Sequence, residues 1–193
     1  MRGFQPSDFI SPEEYLAMER SSETKSQYID GEIFAMSGAS RNHNRISSNL
    51  VRAIGNRLMN STCDVYSSDM KVKIDQTKYT YPDIVITCEK EEFEDEEEDV
   101  LLNPLVIMEI LSDSTEAYDR GKKFDFYQRI HSLKEYLLLS QHSCRVEKYV
   151  RQNSRIWRYS AVQDADGIVI LSSLKCELPM SEIYRNIIFG KKG

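Results

Sequence analysis

The chain has 193 residues, 40% hydrophobic and 29% charged, with a formal net charge of −6, a balance that fits one globular domain over 1–193 and excludes a chain too polar to bury a core. No apolar run approaches the roughly 20 residues of a membrane-spanning helix, and Met1-Arg2-Gly3-Phe4-Gln5-Pro6-Ser7 does not lead into the apolar stretch of a secretory signal, so a cytoplasmic protein is expected. Cys63, Cys88, Cys144 and Cys176 form no CxxC pair and read as isolated reduced thiols, and three scattered histidines disfavour a histidine-based metal cage, so any metal is expected to be a hard, oxygen-liganded ion.

Along the chain, Ser11-Pro12-Glu13-Glu14 starts a helix, with serine at the cap, proline in the first turn and Glu14 at the capping-box position. Residues 28–36 form a hairpin about Asp30-Gly31. A longer helix spans 41–59, where Ile46, Leu50, Ile54 and Leu58 repeat every four residues and Arg45, Arg52 and Arg57 occupy another face. Residues 65–74 alternate as one strand, with Met70, Val72 and Ile74 on one side and Asp69, Lys71 and Lys73 on the other. A strand over 81–87 follows.

The segment 89–99 carries nine acids and one lysine, a local charge of −8 that leaves the rest of the chain at +2. It reads as a solvated loop without chemistry of its own. Residues 105–111 are apolar on both faces except at Glu109, the pattern of a covered central strand. A helix over 118–130 comes next, then strands at 135–140, 145–150 and 156–161, and finally a proline-stopped strand and short helix within 178–184. This order gives an α/β or α+β fold in a single domain.

Three charged residues stand out against that background. Helical spacing places Lys123 in the middle of an apolar stripe formed by Phe124, Phe126, Tyr127 and Ile130. Lys122 projects about 100° away, toward the flank. An ammonium aimed at a core is costly unless a carboxylate or ligand meets it. Asp83, in Tyr81-Pro82-Asp83-Ile84-Val85, and Glu109 are the candidate partners. Two acids can hold a divalent ion that polarises a phosphoryl oxygen and activates water, and a lysine can orient that water or stabilise transition-state charge. The structural alternatives are a turn-capping Asp83, a plain Glu109–Lys123 ion pair, and a lysine that snorkels to the helix edge.

The same residues resemble the PD-(D/E)XK nuclease superfamily and, within it, a bacterial family of restriction-endonuclease-like proteins abundant in cyanobacteria, long catalogued as a domain of unknown function. The resemblance runs through Tyr28-Ile29-Asp30-Gly31-Glu32-Ile33, Met36-Ser37-Gly38, His43, Tyr81-Pro82-Asp83-Ile84-Val85, Val106-Ile107-Met108-Glu109-Ile110-Leu111-Ser112, Asp119-Arg120-Gly121-Lys122-Lys123-Phe124, Leu133-Lys134-Glu135-Tyr136 and Val146-Glu147-Lys148-Tyr149. It implies a restriction endonuclease-like core, a central mixed β-sheet flanked by helices, with an N-terminal helix-hairpin extension. It makes Asp83 the proline-linked metal ligand and Glu109 the first acid of the (D/E)XK element. Leu111 stands where that pattern has lysine, and Lys123 supplies the displaced group. The family usually carries a glutamate before the tyrosine of the first hairpin, where this chain has Gln27, a carbonyl ligand without negative charge.

Asp69 is a secondary candidate, either beside the site or as an exposed cross-strand partner. Asp119, one turn before Lys123, either positions the ammonium or caps the helix. His43 is a structural or substrate-facing residue. The expected function is a Mg2+- (or Mn2+-) dependent endonuclease acting on DNA, with no membrane partner, arranged as a homodimer, as the superfamily resemblance implies, so that two sites can cut two strands. Arg45, Arg52 or Arg57, or the Lys71 and Lys73 face, would contact phosphates. The alternatives are a nuclease-fold protein without turnover that binds nucleic acid or another partner, and a hydrolase of some other phosphoester.

Overall fold

The computed structural model describes residues 9–190; the reading of residues 1–7 lies outside them. Helix α1 (Pro12–Ser21) begins at the expected capping box, with Ser11 Oγ accepting from Glu14 N–H at 3.2 Å and Glu14 accepting from Ser11 N–H at 2.8 Å. Strands β1 (Ser26–Ile29) and β2 (Glu32–Ala35) form the hairpin. Its turn needs positive φ at both central positions, 52° at Asp30 and 92° at Gly31. A Cβ on Gly31 would also fall 2.1 Å from the Phe9 ring.

Helix α2 (Arg41–Leu58) is capped by Ser40 and buries Ile46, Leu50, Ile54 and Leu58, as its four-residue repeat requires. The region 65–74 is not one strand. It divides into β3 (Cys63–Ser67) and β4 (Lys71–Asp75), which belong to different sheets. Residues 68–70 turn the chain, with Met70 N–H donating to Ser67 O at 3.2 Å. The break coincides with a change of apolar phase, from odd positions at Cys63 and Val65 to even ones at Met70, Val72 and Ile74, which pack in different core clusters.

Strands β5 (Lys78–Thr80), β6 (Ile84–Cys88), β7 (Val100–Leu101) and β8 (Val106–Leu111) follow. After them come a short helix α3 (Glu116–Tyr118), a π-helical turn (Asp119–Lys123) and α4 (Phe124–Tyr127), then β9 (Glu135–Ser140), β10 (Val146–Arg151) and β11 (Trp157–Val162). Strand β12 (Ile168–Leu171), absent from the sequence expectation, pairs with β13 (Cys176–Pro179), and α5 (Met180–Ile183) closes the tail.

The strands build a six-stranded sheet, β11-β10-β9-β8-β6-β3, and a five-stranded one, β2-β1-β5-β4-β7. Within the larger sheet β8 lies between antiparallel β6 and parallel β9, which makes it central and buried along its whole length. Ile84, Ile86, Met108 and Ile110 pack with α2 on one face. Val85, Ile107 and Leu111 join Phe126, Tyr127 and Ile130 on the other. Because side chains alternate along a strand, Asp83 and Glu109 share this second face. The result is an α+β fold with mixed sheets and few helices.

Two further expectations change. Cys63 and Cys88 are not isolated thiols: the β3–β6 register sets them directly opposite one another and they form a disulfide, leaving Cys144 and Cys176 free. The separation of 25 residues concealed the pairing because strand register alone decides it. The acidic segment 89–99 is also more than solvated loop, since Glu94 holds Lys73 and Tyr79 while Asp99 holds Lys71 and Arg20. No helix among the described residues is long and apolar enough to cross a membrane.

Candidate active site

Asp83 stands one residue before β6. Carried one step beyond the Ile84↔Met108 pair, the β6–β8 register sets it opposite Glu109. Its Oδ2 accepts from Ile110 N–H at 2.7 Å and lies 3.1 Å from Nε2 of His43, the third residue of α2. Proline before it and backbone N–H bonding at its carboxylate fix where the acid points. His43 is thus an orienting neighbour of Asp83.

Glu109 is 3% exposed, and its Oε1 accepts from both Lys123 Nζ at 2.8 Å and the Tyr127 hydroxyl at 2.9 Å. Lys123, 4% exposed, does not snorkel. Asp119, also buried, places Oδ1 3.4 Å from the same ammonium. Asp119 lies in the body of the helical segment and does not cap it. The segment widens here into a π-turn, a distortion frequent at functional sites, and the Tyr136 hydroxyl donates to Asp119 O at 3.0 Å. Lys122 is exposed, over the Phe126 ring.

Burial pushes Glu109 up to about 8 against the attraction of Lys123, with the Asp119 and Asp83 charges adding to the rise. For Lys123, burial opposes the ammonium, but the Glu109 and Asp119 carboxylates outweigh it and hold the group above the ordinary lysine range. Lysine therefore stays charged, and Glu109 gains its proton readily. Two acids, Glu109 and Asp119, hold the one buried base, and Asp83 stands across the strand pair from Glu109.

The remaining candidates separate. Gln27 lies on β1, half-buried, and the Tyr28↔Tyr79 register continued by one step sets it opposite Thr80. Thr80 Oγ1 is 3.1 Å from the Tyr127 hydroxyl, so Gln27 belongs to the strand edge that adjoins Glu109. Asp69 is exposed and held by Lys25 at 2.6 Å, with no partner shared with Asp83 or Glu109. Sequence reasoning counted Tyr127 as core and missed its hydroxyl. Its position four residues after Lys123 was the available signal.

Among the described residues no cluster of three or more His, Cys, Asp or Glu side chains is arranged as a metal cage. The donor chemistry nevertheless fits a hard divalent ion, which often takes one or two carboxylates and several waters. Oδ1 of Asp83 and Oε2 of Glu109 have no hydrogen-bond partner among the described residues, and neither is a sealed, unpaired atom. Each acid commits one oxygen to the protein and leaves the other open.

The model of the Uma2 family, described as "Putative restriction endonuclease", matches residues 12–181. Two Synechocystis sp. proteins, the uncharacterized proteins slr1290 and sll1609, are 36% and 35% identical, over 93% and 86% of this chain and 94% of each relative. A crystal structure from Anabaena variabilis ATCC 29413, described as "a putative nuclease belonging to DUF820", superposes with a TM-score of 0.75 at 20% identity, covering 91% of this chain and 97% of that one. That likeness supports the restriction endonuclease-like fold.

Proposed function

The chain belongs to the Uma2 family of restriction-endonuclease-like proteins, and from that premise we propose that it is a single-domain, metal-dependent endonuclease hydrolysing DNA phosphodiesters. The observation that carries the reading is the register of Asp83 against Glu109, with the Lys123 ammonium 2.8 Å from the latter. The open oxygens of Asp83 and Glu109, with the Gln27 carbonyl, would hold Mg2+ or Mn2+, which when bound polarises a phosphoryl oxygen and acidifies a water. The chain's own groups do the rest. Ile110 N–H and His43 orient Asp83, Tyr127 and Lys123 orient Glu109, and Asp119 holds the ammonium where it can balance negative charge gathering on a phosphoryl group. A second reading, binding without turnover, rests on Gln27, which brings no charge to the edge where the family carries an acid.

Cleavage of supercoiled and single-stranded DNA by wild type, Asp83→Ala and Lys123→Ala, with Mg2+, Mn2+ or chelator, tests both. Divalent-dependent cleavage by wild type that both substitutions abolish is the expected result. Unchanged cleavage in either variant rejects the assigned site. Salt-sensitive binding by wild type with no cleavage in any metal selects the second reading. Sedimentation of the same samples tests the homodimer that two-strand cutting favours.

A further inference from the structure

The outer side of α2 forms an open groove of about 530 Å³ with Arg185 and Asn186 of the tail. Arg41, Arg45, Arg52 and Arg185 line it, and no acid does. None of the four arginines has a carboxylate partner among the described residues. Seven of the twelve described arginines lack one, and four of those seven line this groove. Arg57, on the same helix, is held by Glu182 at 2.8 Å, and Lys71 and Lys73 are held by Asp99 and Glu94. Of the cations expected from sequence to meet phosphate, Arg57, Lys71 and Lys73 are already neutralised, whereas Arg45 and Arg52 are not.

The groove is also built. Asn49, 5% exposed, donates to Ile183 O and Arg185 O at 3.0 Å each, which pins the tail to the helix, and it accepts from Arg52 at 3.1 Å. Arg45 donates to Asn186 O at 3.4 Å. Guanidiniums gathered without acids repel one another in the free protein, and an anion relieves that repulsion. From Arg41 to Arg52 the helix rises roughly 16 Å. A nucleic-acid strand carries a charge about every 3.4 Å along its axis, so the array matches several consecutive phosphates, more than a free phosphate could use.

We propose that this groove binds the phosphodiester backbone of a nucleic-acid strand flanking the cleavage position. Arg41 lies two residues from His43, which contacts Asp83, so the groove begins at the catalytic end of α2. At 100° per residue, Arg41, Arg45 and Arg52 fall roughly 160–180° from His43 around the helix. The groove is therefore a remote anchor on the far side of α2, outside the carboxylate pocket. Calling it an anchor for a substrate rests on the nuclease reading; its affinity for the strand does not.

The test is binding of a fluorescein-labelled 20-nucleotide DNA, single-stranded and duplex, in chelator so that cleavage plays no part. Arg45→Glu/Arg52→Glu should weaken binding at least about tenfold, and the milder Arg41→Ala/Arg185→Ala should lower the slope of log affinity against log salt by roughly two. Arg155→Glu/Arg158→Glu, on and beside the exposed edge strand β11, makes the same change of net charge as the first variant and should alter affinity less than about threefold. Equal weakening by both charge-reversed variants, an unchanged slope in the alanine variant, or no binding by wild type overturns the proposal. Melting curves exclude misfolding, and the alanine variant serves if the reversed one fails to fold. Groove-dependent binding without cleavage would retire the nuclease reading alone; cleavage with groove-independent binding would retire the groove alone.

Discussion

The charged clusters around Glu109 and around Lys71 use the same residue types and balance them in opposite ways. Near β4, Arg20, Lys71 and Lys73 meet Glu94, Asp95 and Asp99, three bases against three acids, so the protein itself satisfies the charge. In the pocket, Glu109 and Asp119 meet the single ammonium of Lys123, and the Asp83 charge lies close enough to Glu109 to raise it. An acid excess at a buried position with open carboxylate oxygens is costly, and an external cation offsets it. The first cluster ties a loop to a sheet; the second is the one to which the proposed function assigns a metal ion.

Breaking each cluster should therefore give different phenotypes. The largest effect is expected from Glu109→Ala and Lys123→Ala, each lowering DNA cleavage by about 10²–10³-fold or more, measured as single-turnover rates with Mg2+. Cleavage within a few-fold of wild type would remove the functional distinction between the clusters. Next, Asp99→Asn strips Lys71, only 1% exposed, of its carboxylate. It should cost about 2 kcal/mol, seen as a melting temperature lower by about 4–8 °C, while metal-dependent cleavage persists.

The pH dependences should oppose each other as well. Glu109 sits at about 8 in the folded protein against an ordinary 4.5, so its contribution to stability is complete below about 4.5 and is lost as pH rises through about 8. Asp99 is the reverse: burial works against its charge, but the Arg20 and Lys71 partners hold it below its ordinary 3.8. Its contribution is present above 3.8 and is lost as pH falls through the depressed value. Thermal melts in chelator should show Glu109→Gln flattening the decline between about pH 4.5 and 8, and Asp99→Asn flattening the acid limb. A Glu109→Gln profile parallel to wild type would contradict the raised acid. The smallest effect is expected from Gln27→Glu, which adds an acid beside Thr80 and should raise cleavage at limiting Mg2+ by about tenfold. No gain would mean that position 27 does not limit the pocket.

Much of this was legible in the one-dimensional pattern. The capping box, the Asp30-Gly31 turn, the four-residue repeat of α2 and the central strand bearing Glu109 are local, because propensity and periodicity act over a few residues. The misplaced charges at Lys123 and Glu109 were equally visible, since a charge inside an apolar pattern demands a partner whatever the fold. Tertiary structure alone decided who those partners are. Strand register set Asp83 opposite Glu109 and joined Cys63 to Cys88, and packing docked Lys123 on Glu109, whereas the Asp119–Lys123 pair already lay one helical turn apart in sequence. Packing spent Lys71, Lys73 and Arg57 on internal acids while leaving the α2 groove uncompensated. Register and ion pairing join residues far apart in the chain through distance in space, which falls off over a few ångströms and has no period in sequence.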